Sequence, residues 1–234
     1  MIKKWIILGI LAGMGLIFFD LFSAFRGNET LGKTADYYAR HGAEEVGASN
    51  IVTAIVVTYR GFDTLGEVTI LFLTAAIISF VLKIRQEDIL PNRPIRITSE
   101  LLDSASQVIV PVIFMVGIYI FVNGHLTPGG GFPGGAVIAS GVLLMILSNP
   151  NFSVSHKVIA WVESISGVGF VLLGVMGILF AGGFLDNRVL GLGDFGKLFS
   201  AGIIPFIYSF IGLKVGAELS NILGAISHAQ NEKN

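Results

Sequence analysis

Six stretches of this 234-residue chain are apolar for close to the length needed to cross a lipid bilayer, and that pattern leaves few folds open. They run from about Trp5 to Phe22, Asp63 or Thr64 to Leu82, Ala105 to Val122, Phe132 to Leu147, Val158 to Ala181, and Phe199 to Ile226. About 20 apolar residues wound as an α-helix cover the roughly 30 Å of hydrocarbon. Lipid offers no partner for a bare backbone N–H or C=O, so helices that satisfy their own backbone are the expected element. The expected fold class is therefore all-α: a polytopic membrane protein of about six transmembrane helices. Composition agrees, with 53% hydrophobic residues and 13% charged, about half the charged fraction of a soluble domain.

The segments between the spans set the organisation. Lys3 and Lys4 before the first apolar run resemble the start of a signal peptide. The run is long for one, however, and Ser23-Ala24-Phe25 is a poor cleavage site, so the sequence predicts a retained first helix. Ser23 to Ser49 is polar and reads as an extramembrane loop. Asn50 to Tyr59 is apolar but too short to cross, which predicts an interfacial or re-entrant piece. Lys83 to Ser99 is a polar connector in which Pro91 and Pro94 deny a long helix. It divides the chain into residues 1–98 with two spans and residues 99–234 with four. Glycines recur within the spans, as at Gly117, Gly141, Gly167, Gly174, Gly212 and Gly216, and in lipid such residues let helix backbones approach closely. Basic residues are denser on the side holding Lys3, Lys4, Lys83, Arg85, Arg93, Arg96, Lys157 and Lys233, which predicts cytoplasmic termini in a cell membrane.

Several function classes fall away. The net charge is −1 and no basic run is interleaved with aromatics, so nucleic acid is not an expected partner, whereas lipid and other membrane subunits are. With no cysteine the chain holds no Cys-ligated cluster, and a redox centre would have to sit elsewhere. His41, His156 and His228 stand at no metal-ligand spacing and no nucleophile–base set is evident, so neither a cofactor nor an enzymatic site is expected in this chain.

Charges at membrane depth cost roughly 2.5 to 3.5 kcal/mol each, which makes them functional candidates. Asp63 and Glu67 stand four apart on one helical face, with Arg60 a turn earlier. Two stacked carboxylates can relay a proton or hold sodium; the alternative is a helix N-terminus at the interface. Lys214 and Glu218, again four apart, lie midway along the last span, where they form either a self-neutralising structural pair or a station in a proton path. Glu163 is an interfacial acid or a further station. The stretch His125-Leu126-Thr127-Pro128-Gly129-Gly130-Gly131-Phe132 must satisfy much bare backbone, either as a tight turn or as the lining of a hydrated, ion-coordinating cavity.

Gly124 to Phe132, Glu163 to Gly177, Gly196 to Pro205 and Gly212 to Gly216 together resemble the B subunit of Mrp-type multisubunit sodium/proton antiporters, over about Ser99 to the end. The block Tyr59-Arg60-Gly61-Phe62-Asp63-Thr64-Leu65-Gly66-Glu67 resembles the C-terminal region of that family's large A subunit, which also occurs as a separate small component of membrane-bound hydrogenases. The resemblance implies a place in a sodium- or proton-translocating module, with Na+ or H+ as the transported ion and Asp63, Glu67, His125 and Lys214 at matching motif positions. Glu218 departs from the small residue expected there. Implied partners are other antiporter-type subunits and, in energy-converting hydrogenases and sulfur-reducing relatives, an arm of iron–sulfur and nickel–iron subunits. A structural scaffold with no ion path of its own is the competing expectation.

Overall fold

The computed structural model describes residues 2–24, 31–86, 99–149, 152 and 155–231. Most of the connector assigned to Lys83–Ser99, with Pro91 and Pro94, lies outside the described residues. The described residues contain helices and turns but no strands, and six of the helices are long and apolar enough to cross a membrane.

The chain divides into two compact units, Met1–Tyr37 and Tyr38–Asn234. In the first, α1 (Ile2–Ala24) is a single apolar helix whose described side chains are all exposed. Helix α2 (Lys33–Val46) falls within the segment read from sequence as a loop. It is amphipathic, and Gly42 and Val46 near its end are buried in the second unit. The low hydropathy of this stretch concealed the helix.

Asn50 opens α3 (Ile51–Thr53) by accepting a hydrogen bond from the Val52 N–H at 3.1 Å, the usual role of an N-cap amide. The chain then widens into a π-helical turn, Ala54–Tyr59, before α4 (Gly61–Gln86) begins. The short apolar segment is thus a helical lead-in to the next span. It is fixed by Thr64, whose hydroxyl donates to the Val56 carbonyl at 2.5 Å.

The remaining spans are α5 (Glu100–Val122), α6 (Gly131–Ser148), α7 (His156–Phe180) and α8 (Ile204–Asn231). Helix α8 is the axis of the bundle, packing on α4, α5, α6 and α7. It also supplies much of the buried core through Ile204, Ile207, Tyr208, Ile211 and Val215. Its approach to α6 is backbone-close: a Cβ on Gly135 would lie 2.6 Å from the Gly212 carbonyl oxygen and 2.7 Å from Val215 Cβ. Gly131/Gly135 and Gly212/Gly216 form facing small-residue pairs four apart, the geometry by which helices associate without a hydrophobic drive.

The contacts fix direction. Gly131 meets Ile211 and Gly135 meets Val215, so α6 and α8 run parallel; Gly169 meets Phe210 and Gly167 meets Lys214, so α7 runs antiparallel to α8. The N-termini of α6 and α8 and the C-terminus of α7 consequently share one end of the bundle. That end carries the Gly124–Gly130 turn and the long segment 181–203.

Candidate functional site

The deepest charges belong to α8. Lys214 Nζ lies 2.7 Å from Glu218 Oε1, and the two side chains are 11% and 0% exposed. The pair sits about halfway along the Ile204–Ser227 span, too deep for either head group to reach an interface. Helix α7 leaves room for the ammonium at Gly167, where a Cβ would be 3.5 Å from Nζ. The ring of Phe72 on α4 covers its other side, 5.0 Å from Nζ to centroid, a favourable arrangement for a desolvated cation. Glu218 Oε1 is held by this close charge contact, and Oε2 has no hydrogen-bond partner among the described residues. Glu163 on α7 is partly buried and within electrostatic reach of Glu218. The structure therefore gathers Glu163, Lys214 and Glu218 at one place between α7 and α8.

Asp63 and Glu67 lie elsewhere. Both are on the exposed face of α4, Asp63 ion-paired with Arg60. That pair is open to solvent and contributes little to stability. The shared face expected from the four-residue spacing is present, and it points out of the bundle.

His125 is fully buried in the turn at the end of the bundle. Its Nε2 lies 3.4 Å from the Lys197 carbonyl, and its Nδ1 has no partner among the described residues. Burial holds its pKa below the usual 6.5, against smaller opposing effects from the backbone of Lys197, Leu198 and Val122. The turn itself is a joint between distant segments. Asn50 Nδ2 donates to the carbonyls of Gly124 (2.9 Å) and Thr127 (3.0 Å), and the Thr53 hydroxyl donates to the Gly124 carbonyl at 2.7 Å. Tyr208 OH in turn donates to Thr53 Oγ1 at 2.9 Å. Gly130, at φ 138°, packs 3.2 Å from the Tyr208 ring by its would-be Cβ, a place and a backbone angle that only glycine takes readily. Pro128, Gly129, Gly130, Gly131 and Phe132 thus lead from this joint into α6, and hydrogen bonds from the 50–53 segment satisfy bare backbone that the glycine-rich sequence leaves exposed.

Sequence reasoning missed two features at this end. Asn187, fully buried, donates to the carbonyls of Val46 (2.7 Å) and Ala201 (3.0 Å), tying the end of α2 to the segment before α8. Beside it burial alone would raise the Asp186 carboxyl, but Arg188, 2.5 Å away, outweighs burial and holds it below the usual carboxylate range. An open cleft lined by His41, Glu44, Glu45, Thr58, Tyr59 and Arg188 lies alongside. The signal available was Asp186-Asn187-Arg188, a polar triplet in an otherwise apolar stretch. Among the described residues no three His, Asp or Glu side chains converge as metal ligands.

Membrane-length helices packed on a polar-centred axis, with charges exposed on an outer helix, define a polytopic all-α membrane protein. The model of the domain related to the MnhB subunit of Na+/H+ antiporters matches residues 101–221, and that of the E subunit of MBH matches residues 3–89. The chain belongs to the MnhB-related family of antiporter-type membrane subunits. An uncharacterized protein of Methanocaldococcus jannaschii is 31% identical over 195 residues, covering 73% of this chain and 74% of that one. A probable A/B subunit of a K+/H+ antiporter of Rhizobium meliloti is 28% identical over 225 residues, 83% of this chain but only 22% of that much longer protein. Among solved structures, a chain of the archaeal membrane-bound sulfane sulfur reductase, a respiratory membrane complex, is 36% identical with a TM-score of 0.77, covering 97% of this chain and 98% of its own. A chain of the Mrp complex from Dietzia shares the fold at a TM-score of 0.79 and 20% identity, covering 96% of this chain and 26% of its own.

Proposed function

We propose that the chain contributes a station to a sodium or proton path in a multisubunit complex. The observation that carries this reading is the Lys214–Glu218 pair, buried about halfway along α8 with Glu163 within electrostatic reach. Stability alone gives little reason for such a pair, since replacing a buried ion pair with apolar side chains is often neutral or stabilising. Asp63 and Glu67, exposed on α4, are the residues a neighbouring subunit would complete, and His125 would serve at the loop-bearing end. Both termini are cytoplasmic in this reading, in the cell membrane. The partners are other antiporter-type subunits and, in a complex of the sulfur-reducing or hydrogenase kind, an arm bearing iron–sulfur and nickel–iron centres.

One observation favours a scaffold role instead: Lys214 and Glu218 neutralise each other within one helix. The two readings separate in everted vesicles carrying the assembled complex. Glu218→Gln and Lys214→Met each abolish cation-dependent proton movement if the pair is a station. Transport at wild-type rate, with native-gel assembly unchanged, would overturn that reading.

A further inference from the structure

The charges between α7 and α8 do not balance. Two carboxylates, Glu163 and Glu218, share one ammonium, Lys214. Helix register places them together: Gly167 of α7 lies against Lys214, and α7 is antiparallel to α8. Glu163, four residues before Gly167, therefore comes level with Glu218, four residues after Lys214. Glu218 is fully buried and its Oε2, turned away from the 2.7 Å contact of Oε1 with Lys214, has no hydrogen-bond partner among the described residues. A buried carboxylate oxygen without a donor is costly, and a cluster with one excess negative charge in hydrocarbon is costlier still.

The other described groups facing this place supply no second cation. Helix α6 has no titratable side chain, and the acids of α5, Glu100 and Asp103, belong to its first turn. His156 and Lys157 of α7 precede Glu163 by nearly two turns. On α4, Asp63 and Glu67 belong to the opposite direction along α8, where Glu67 acts on Tyr208, and Lys83 and Arg85 belong to its last turn.

We propose that Glu163 and Glu218 hold a single exchangeable proton between them, with Lys214 as the permanent internal counter-ion. The cluster is then neutral: one carboxylic acid, one carboxylate, one ammonium. Sodium is disfavoured at the same place, because the Lys214 ammonium already lies 2.7 Å from the Glu218 carboxylate and repels a second cation there. The proposal rests on the reading of this cluster as part of an ion path and narrows it to a proton site.

Infrared difference spectroscopy of the purified complex across a pH jump, in sodium-free and sodium-containing buffer, tests it. The wild type shows a carboxylic-acid C=O band that sodium does not alter. Glu163→Gln and Glu218→Gln each remove it, and Lys214→Met adds a second. Glu218→Asp, a milder change, shifts the band without removing it and serves if either glutamine variant fails to assemble. A band that survives both glutamine variants overturns the proposal, as does one that appears only when sodium is withdrawn, which would assign the site to the alkali cation. Transport measured on the same preparations keeps the two readings apart. Band loss with transport intact retains the proton site and refutes the path, whereas transport loss with no such band in the wild type retains the path and refutes the shared proton.

Discussion

Replacing Lys214 with methionine keeps the stem that packs between Phe72 and Gly167 and removes only the charge. Glu218, fully buried, then loses its counter-ion. It escapes the cost of a bare buried charge by taking up a proton, and neutralising an ordinary glutamate of pKa ~4.3 at pH 7 costs about 3.7 kcal/mol. That figure is an upper bound on the loss at pH 7 and falls within the roughly 3 to 5 kcal/mol typical of a buried pair with one member removed. The sign follows from proton count: folded Lys214→Met binds one more proton than the wild type, so its deficit shrinks by about 1.4 kcal/mol for each unit the pH is lowered. Adding Glu218→Gln removes the need for that proton, and the double variant recovers to within about 1 kcal/mol of the wild type, with its deficit independent of pH. Thermal denaturation of the detergent-solubilised protein at several pH values between about 5 and 8 measures all three. A pH-independent loss in the single variant, or a double variant no better than the single, refutes the reasoning.

Two further outcomes follow from the packing and from His125. Gly135→Ala forces α6 and α8 apart, because its Cβ would sit 2.6 Å from the Gly212 carbonyl; the expected loss is about 1–3 kcal/mol, whereas Gly66→Ala on α4, with nothing within 4 Å of its Cβ, leaves the melting temperature of the isolated chain unchanged or raises it. The depressed pKa of His125 means that unfolded chain binds more protons than folded chain between the lowered value and 6.5. Its stabilising contribution is full above pH 6.5 and is lost as the pH falls through the folded value, so His125→Gln flattens the acid side of the stability profile, and an unchanged slope would count against the burial of this imidazole.

The spans were legible because length and apolarity are local properties that a bilayer reads one helix at a time. Helix α2 was not, since its polar surface outweighs the few positions, Gly42 and Val46, that it buries. The π-helical turn at Ala54–Tyr59 leaves no periodic signature in six residues and was visible only as a run too short to cross. At the site, the four-residue spacing of Lys214 and Glu218 announced their contact. The part played by Glu163 depended on the register of α7 against α8, which Gly167 and Gly169 set through Lys214 and Phe210, and register between helices distant in sequence is not a local property. The same limit explains Asp63 and Glu67: spacing gave them a common face, but which way that face points depends on how α4 packs on α8.

The position of α8 as axis carries a consequence for biogenesis. It is the last of the described spans to leave the ribosome, yet α4 and α7 find their main partner in it, and α6 packs on it about as extensively as on α5. Helices α4 and α7 must therefore wait in the bilayer until α8 arrives, whereas α5 and α6 can pair before it. Lys214 and Glu218 meet Phe72 and Gly167 only at that step, so until then it is their own contact within α8 that offsets the costliest charges in the chain.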